Sequence, residues 1–171
     1  MAPPMRLRPR SVAEEHLYME LHPCSCGVHQ LHERPHQVRR DGAELVSVFR
    51  GACVGCATPR EFVFVLPPEP PPPGLDLGGD DASTLITPDQ FLTLAEAAVA
   101  RGTPRALARA QACLAEVLKF IPPGEATVPA GAFRSAEGAR QRLADPDRFS
   151  RGSLEARLAA LRARTVGSDH P

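Results

Sequence analysis

Two close pairs of cysteines, Cys24-Ser-Cys26 and Cys53-Val-Gly-Cys56, decide how the first part of this 171-residue chain folds. They are separated by a segment whose pattern is strand, turn and strand. A tight turn presents both thiolates of a close pair together, and Zn²⁺ binds four such sulfurs tetrahedrally at about 2.3 Å. The spacing therefore predicts a structural zinc site with Cys24, Cys26, Cys53 and Cys56 as its ligands.

The segments on either side of the second pair predict a β-hairpin. Residues 43–50 and 60–66 are rich in β-branched and aromatic side chains, and a strong turn signal, Asp41-Gly42, comes before the first of them. Alternation along the first strand places Leu45, Ser47 and Phe49 on one face and the valines between them on the other. The second cysteine pair is therefore expected at the tip of a hairpin.

Over residues of about 22–66, this arrangement resembles the zinc-ribbon class of structural zinc-binding modules. Both pairs of that class usually have the form C-x2-C, whereas the first pair here is C-x-C. Gly27 and Gly55 suit the turns, because glycine lets backbone amides face the sulfurs at low steric cost. The resemblance implies a metal-stabilised fold and does not imply one particular activity.

Other interpretations of the cysteines are reduced pairs without metal, an iron–sulfur cluster, or disulfides. A histidine is a further candidate to replace a cysteine, because imidazole is a normal zinc ligand. The candidates are His22, His29, His32 and His36. Since four cysteines already complete a tetrahedron, we expect these histidines to lie in a solvated loop.

The cysteine count and the N-terminal sequence bear on the compartment. Five cysteines are an odd number, and the first ten residues contain no apolar run of signal-peptide length. No stretch approaches the length of a membrane span. With 19 prolines and basic residues that are almost all arginine, the composition is typical of a high-GC genome. We therefore expect a bacterial cytoplasmic protein, in which paired cysteines are more often metal ligands than disulfides.

The part of the chain after residue 83 is predicted to be helical. Thr87-Pro88 and Thr103-Pro104 each combine an N-cap with proline at the first helical position, and Gly102 closes the first of these two helices. Apolar residues recur at spacings of three and four in both, which predicts an antiparallel helical hairpin. Weaker patterns predict helices over 135–144 and about 150–165. Cys113 falls within the stripe of the second helix and is expected to be a buried, inert thiol.

These elements together predict an α+β protein. Ser11 and Glu14 form a capping-box pattern that starts a short first helix, although the residues from Leu17 to Leu21 alternate and would also suit a strand. A small zinc-ribbon module followed by a bundle of three or four helices is the expected architecture. The predicted divisions are an N-terminal helix and ribbon over 1–66, a Pro/Gly-rich acidic linker over 67–83, and a helical domain over 84–171.

The charge pattern favours a protein partner over nucleic acid. The net charge is zero, but residues 61–100 carry seven acidic and no basic side chains, which suits a basic partner. Arg6, Arg8 and Arg10 are expected to form a disordered tail, with a phosphate-binding arm as the alternative. A nucleic-acid-binding regulator would need them on one basic face with four further arginines. Those four are Arg34, Arg39, Arg40 and Arg60.

No catalytic residues are predicted. Glu33 and Glu44 are the glutamates between the two cysteine pairs. Glu33 lies in His32-Glu33-Arg34-Pro35-His36, which has the H-E-x-x-H spacing, but Pro35 disfavours the helix on which that motif presents its two histidines. Four sulfur ligands would also leave a zinc ion without an open position for water. We therefore expect a non-catalytic, zinc-stabilised protein-interaction module, acting as an adaptor, an inhibitor or a toxin-neutralising partner. The alternative function is a zinc-ribbon regulator that binds nucleic acid.

Overall fold

A computed structural model describes residues 6–32, 36–69 and 77–166 of the chain. Over these ranges the protein is α+β, with a four-stranded antiparallel sheet and five α-helices, as the sequence predicts. The chain divides into two compact units, Met1–Pro72 and Pro73–Pro171. Within the predicted linker, residues 70–76 lie outside the described residues, and the predicted domain limits stay a prediction.

The first unit begins with helix α1, Val12–Leu21. The hydroxyl of Ser11 caps it by accepting a hydrogen bond from Glu14 N at 3.1 Å. The Glu14 carboxylate accepts from the backbone N–H of Arg10 at 2.6 Å. Residues 17–21, whose pattern suited helix or strand, are helical.

The sheet is built around strand β3. Its strands are β1 Leu31–His32, β2 His36–Asp41, β3 Glu44–Cys53 and β4 Pro59–Val65. Strand β4 pairs with one edge of β3 in the register Val48↔Val63, while β1 and β2 follow one another along its other edge. The predicted hairpin is confirmed, and the last residue pair before its tip is Ala52↔Pro59.

The two faces of the sheet differ as the alternation predicts. One face carries a cluster of buried valines from β3 and β4: Val46, Val48, Val63 and Val65. The other carries Ser47 and three phenylalanines, and α1 packs on it through Tyr18. The Tyr18 ring meets Phe62 and Phe64 edge-on, with ring centroids 6.5 and 6.0 Å apart.

The arginines before α1 correct the expectation of a disordered tail for residues 6–10. Leu7 runs beside β4, where its N–H donates to Val63 O at 3.1 Å and its carbonyl accepts from Val65 N at 2.7 Å. Arg6 pairs with Asp41 and Glu44, Arg8 pairs with Glu44, and Arg10 pairs with Glu14. These guanidinium groups are therefore occupied by carboxylates of the same unit.

The second unit contains four of the described helices. They are α2 Pro88–Arg101, α3 Pro104–Lys119, α4 Ala136–Ala144 and α5 Arg151–Val166. Helix α3 packs against both α2 and α5. Gln111 of α3 links to α5 by donating to the Leu161 carbonyl at 3.3 Å. Cys113 is fully buried in this unit, as expected. None of the described helices is long and apolar enough to cross a membrane.

Candidate metal centre

The four cysteine sulfurs meet at one point of the first unit. All of them lie within 4.8 Å of one another, although 27 to 32 residues separate the contacting partners along the chain. The shortest distances are 3.5 Å between the sulfurs of Cys24 and Cys56 and 3.5 Å between those of Cys26 and Cys53. Four ligands placed about 2.3 Å from a tetrahedral ion are about 3.8 Å apart. The sulfur spacing therefore fits a four-coordinate ion such as Zn²⁺.

The first pair is presented by a tight turn after α1. The N–H of Gly27 donates to the Cys24 carbonyl at 2.7 Å, and the N–H of Cys24 donates to the Val28 carbonyl at 2.9 Å. Gly27 has φ +85°, a conformation that side chains disfavour. These two hydrogen bonds close the turn with only Ser25 between the cysteines, so a C-x-C pair suffices here.

The second pair lies in the turn between β3 and β4. Cys53 exchanges backbone hydrogen bonds with the far side of the turn, accepting from Ala57 N at 2.8 Å and donating to Thr58 O at 2.9 Å. The N–H of Gly55 points at the Cys53 sulfur, 3.4 Å away. This backbone donor stabilises negative charge on the sulfur, which agrees with the role expected of a glycine in this turn.

Gly55 also allows the two turns to approach each other. A Cβ atom at this position would lie 2.8 Å from Val28 Cγ2 and 3.3 Å from the Cys26 sulfur. A distance below 3.0 Å requires a neighbour to move, so a side chain at position 55 would displace Val28 from the space between the turns. Sequence reasoning did not identify Val28, because its role depends on a contact between segments distant along the chain.

The four thiols differ in environment. Cys24 and Cys53 are buried, whereas Cys26 and Cys56 are exposed. Hydrogen bonds from the side chain and backbone of Thr58 lower the pKa of Cys56 to about 6. The backbone near Val28 acts to lower the pKa of Cys26, but the neighbouring sulfurs of Cys53 and Cys56 outweigh it and raise that pKa to about 11. Crowded sulfurs thus resist full ionisation, and a bound cation would favour the thiolate form of each.

The histidines lie apart from the sulfur cluster. Within the described ranges, the group of side chains able to hold a metal consists of the four cysteines. His22 Nδ1 lies 2.7 Å from the Tyr18 carbonyl, and its ring stacks on Tyr18. His29 is exposed, as expected, but His32 and His36 belong to strands β1 and β2 and not to a loop.

Arg60 has a structural position beside the first cysteine pair. Its guanidinium donates to the His22 carbonyl and lies over the Phe62 ring, 4.9 Å from the ring centroid. It therefore ties β4 to the segment that leads into Cys24. The sequence predicted Arg60 only as part of a candidate basic face. An arginine at the start of a strand carries no signal that it will contact His22 and Phe62.

A second polar cluster, which the sequence did not indicate, lies between α1 and the sheet. The Glu15 side chain is fully buried, and Ser47 Oγ donates to its Oε2 at 3.2 Å. His36 Nε2 lies 3.0 Å from the same hydroxyl. Glu15 Oε1 has no hydrogen-bond partner within the described part of the chain. Burial raises the pKa of Glu15 to about 7, although the Ser47 hydrogen bond acts to lower it.

Comparison with protein-family models, with curated proteins and with solved structures gives no match for this chain. Four thiol groups at tetrahedral spacing can hold one soft or borderline divalent cation, and Zn²⁺ is the ion for which such a set is typical.

Proposed function

We propose that Cys24, Cys26, Cys53 and Cys56 bind a structural Zn²⁺ and that the first unit is a zinc-ribbon module with a non-catalytic protein-interaction role. The observation that carries the proposal is the convergence of the four sulfurs to within 4.8 Å of one another. The hairpin β3–β4 supplies one pair from its tip, and the turn after α1 supplies the other. Two cysteine turns, one of them at a hairpin tip, support the resemblance to zinc ribbons.

The metal would contribute directly to folding. A structural zinc site supplies on the order of 10 kcal/mol to a small module. The first unit has a four-stranded sheet and one helix, and its strand β2 is exposed over residues 36–40. Zinc would hold together the ends of β3 and α1 and so keep the surfaces of the unit rigid. An adaptor, an inhibitor or a toxin-neutralising partner would each use such a surface.

A closed coordination sphere supports an interaction role. With four sulfur ligands the ion has no open position, and an open position is what a catalytic zinc site needs for water. Arg8 lowers the pKa of Glu44 by a hydrogen bond and by its charge, and Arg6 acts in the same direction. A carboxylate stabilised in its ionised form by two arginines is a poor proton acceptor. Glu33 lies outside the described residues.

The rival function, a regulator that binds nucleic acid, is favoured by the exposed Arg39 and Arg40 of β2. The pairing of Arg6 and Arg8 with Asp41 and Glu44 weighs against it, because these charges are largely neutralised. Arg34 lies outside the described residues. Nucleic-acid binding that falls steeply with salt would favour the regulator, because it reports displaced counterions.

The metal is tested by measuring zinc in the purified protein and its coordination by X-ray absorption. One zinc per chain with four sulfur neighbours is expected, and protein without stoichiometric zinc would overturn the proposal. The interaction role is tested by affinity capture from the native cell with and without a chelator. A partner retained only by metal-loaded protein is expected. Cys113→Ala is the matched control for cysteine loss, because it should retain both zinc and partner.

A further inference from the structure

Strand β2 is an exposed edge of the sheet. One of its edges pairs with β3, and among the described strands none pairs with the other edge. Residues 36–40 are all exposed. An exposed edge presents backbone N–H and C=O groups that can pair with a further strand, which is how several peptide-binding domains capture extended segments.

The same strand carries uncompensated positive charge. Arg39 and Arg40 have no acidic partner in the described part of the chain, whereas Arg6, Arg8 and Arg50 are paired with carboxylates. Arg39 shares a face with its β3 partner Val46, and Arg40 shares the opposite face with Leu45. Each face of the edge therefore offers one free guanidinium.

Apolar surface accompanies these charges. Val38 is 54 % exposed and Leu45 is 45 % exposed, and they lie on the same face of the sheet as Arg40. A phosphate backbone would use the arginines but gain nothing from Val38 and Leu45. A polypeptide strand would use the arginines, the apolar side chains and the backbone together, so these observations favour protein over nucleic acid.

Charge also decides between a second copy of this chain and a different partner. Two β2 strands joined edge to edge would place four arginines close together within one short stretch of sheet, and neighbouring like charges are destabilising. The edge is therefore protected against self-association. A partner strand with acidic side chains would instead be stabilised, because its carboxylates could each lie opposite the guanidinium of Arg39 or Arg40.

We propose that β2 is a docking edge for an extended acidic segment of a partner protein, which adds as a further strand. This inference rests on the proposed interaction function. In an antiparallel arrangement, three consecutive partner residues lie opposite Arg40, Arg39 and Val38 in that order. The recognised order is therefore acidic, acidic, apolar, with the two acidic side chains on opposite faces of the sheet.

The probe is a labelled synthetic peptide with this three-residue order at its centre and alternating Thr and Val on both sides. Binding to the full-length, metal-loaded chain is followed by fluorescence anisotropy. The acidic peptide should bind, and a peptide with Lys in place of both acids should not. Arg39→Glu combined with Arg40→Glu should weaken binding of the acidic peptide by about tenfold or more and create binding of the Lys peptide. Arg105→Glu with Arg134→Glu is the matched control, since it changes net charge equally at exposed sites of the second unit.

Alternating N-methylation of the peptide tests strand addition itself. One peptide is methylated on its odd residues and a second on its even residues, so each lacks the N–H groups along one edge of the extended strand. The peptide that lacks the N–H groups facing β2 should lose binding, and the other should keep it. Equal binding of both peptides, equal weakening by the control variant, or no binding by zinc-containing protein would overturn the inference. The inference would also be overturned if an oligonucleotide bound more tightly than the acidic peptide, with a steep salt dependence, and if Arg39 and Arg40 were both required for that binding. Zinc is measured on every sample, so a failure of the metal proposal is recorded separately from a failure of the docking edge.

Discussion

Replacing Glu15 with Gln tests the energetic cost of the buried carboxyl group under α1. The side chain is fully buried, one carboxylate oxygen receives the Ser47 hydroxyl, and burial raises the pKa from its usual 4.5 to about 7. At about 1.4 kcal/mol per pH unit, this displacement corresponds to about 3 kcal/mol of folding free energy. Gln has nearly the same shape and never ionises, so the variant removes this pH-dependent contribution.

The sign follows from the raised pKa. The contribution is fully present below the unfolded pKa of about 4.5, falls as pH rises because the unfolded chain ionises first, and is lost above about pH 7. Between about pH 5.5 and pH 8.5, the wild type should therefore lose about 2 kcal/mol of stability relative to Glu15→Gln. Urea unfolding of the metal-loaded proteins, followed by circular dichroism at each pH, measures this difference.

A constant stability difference between the two proteins across this pH range would refute the reasoning. The carboxyl carbon of Glu15 in the wild-type protein provides a second measurement that does not depend on the variant folding. Its NMR resonance should titrate near pH 7, and a midpoint near 4.5 would show that the carboxyl is solvated. Ser47→Ala removes the hydrogen bond that favours the ionised form and should move the midpoint upward.

The remaining predictions concern the cysteines and their supporting turn. Cys53→Ser should release the metal and unfold the first unit, as seen by zinc analysis and circular dichroism, and stoichiometric zinc in this variant would contradict the ligand assignment. Gly55→Ala should weaken zinc binding by about tenfold in competition with a chelator, because its Cβ would lie 2.8 Å from Val28 Cγ2. Adding Val28→Ala to Gly55→Ala should restore zinc affinity. If it does not, the contact with Val28 is not the cause of the weaker binding. Cys113→Ala should cost about 1 to 2 kcal/mol in urea unfolding and retain zinc. Loss of zinc on that change would mean that the wrong cysteines were chosen.

Local signals in the sequence were sufficient where the physics is local. The N-caps Ser11 and Thr103 accept hydrogen bonds from the backbone three residues on, and proline begins α2 and α3 as predicted. Alternation separated the valine face from the face of Ser47 and Phe49, because side chains of a strand point alternately to its two sides.

Contacts between distant segments were outside the reach of such signals. The N-terminal arginines were expected in a tail, but Arg6 and Arg8 find Asp41 and Glu44 more than 30 residues away. Glu15, next to another glutamate in the first turn of α1, gives no sign in the sequence that it will be buried against Ser47. These outcomes depend on how α1 and the strands pack, which no short window of sequence contains.

The sequence by itself determined the α+β class, the hairpin and the set of four candidate cysteines, because spacing, capping and alternation act over a few residues. Only the tertiary structure decided that the four sulfurs meet within 4.8 Å, and that a side chain at Gly55 would displace Val28. It also decided that β2 is an exposed edge whose two arginines have no acidic partner among the described residues. The physical reason is that these properties are distances and exposures between segments, and they arise only when the helix and strands have packed.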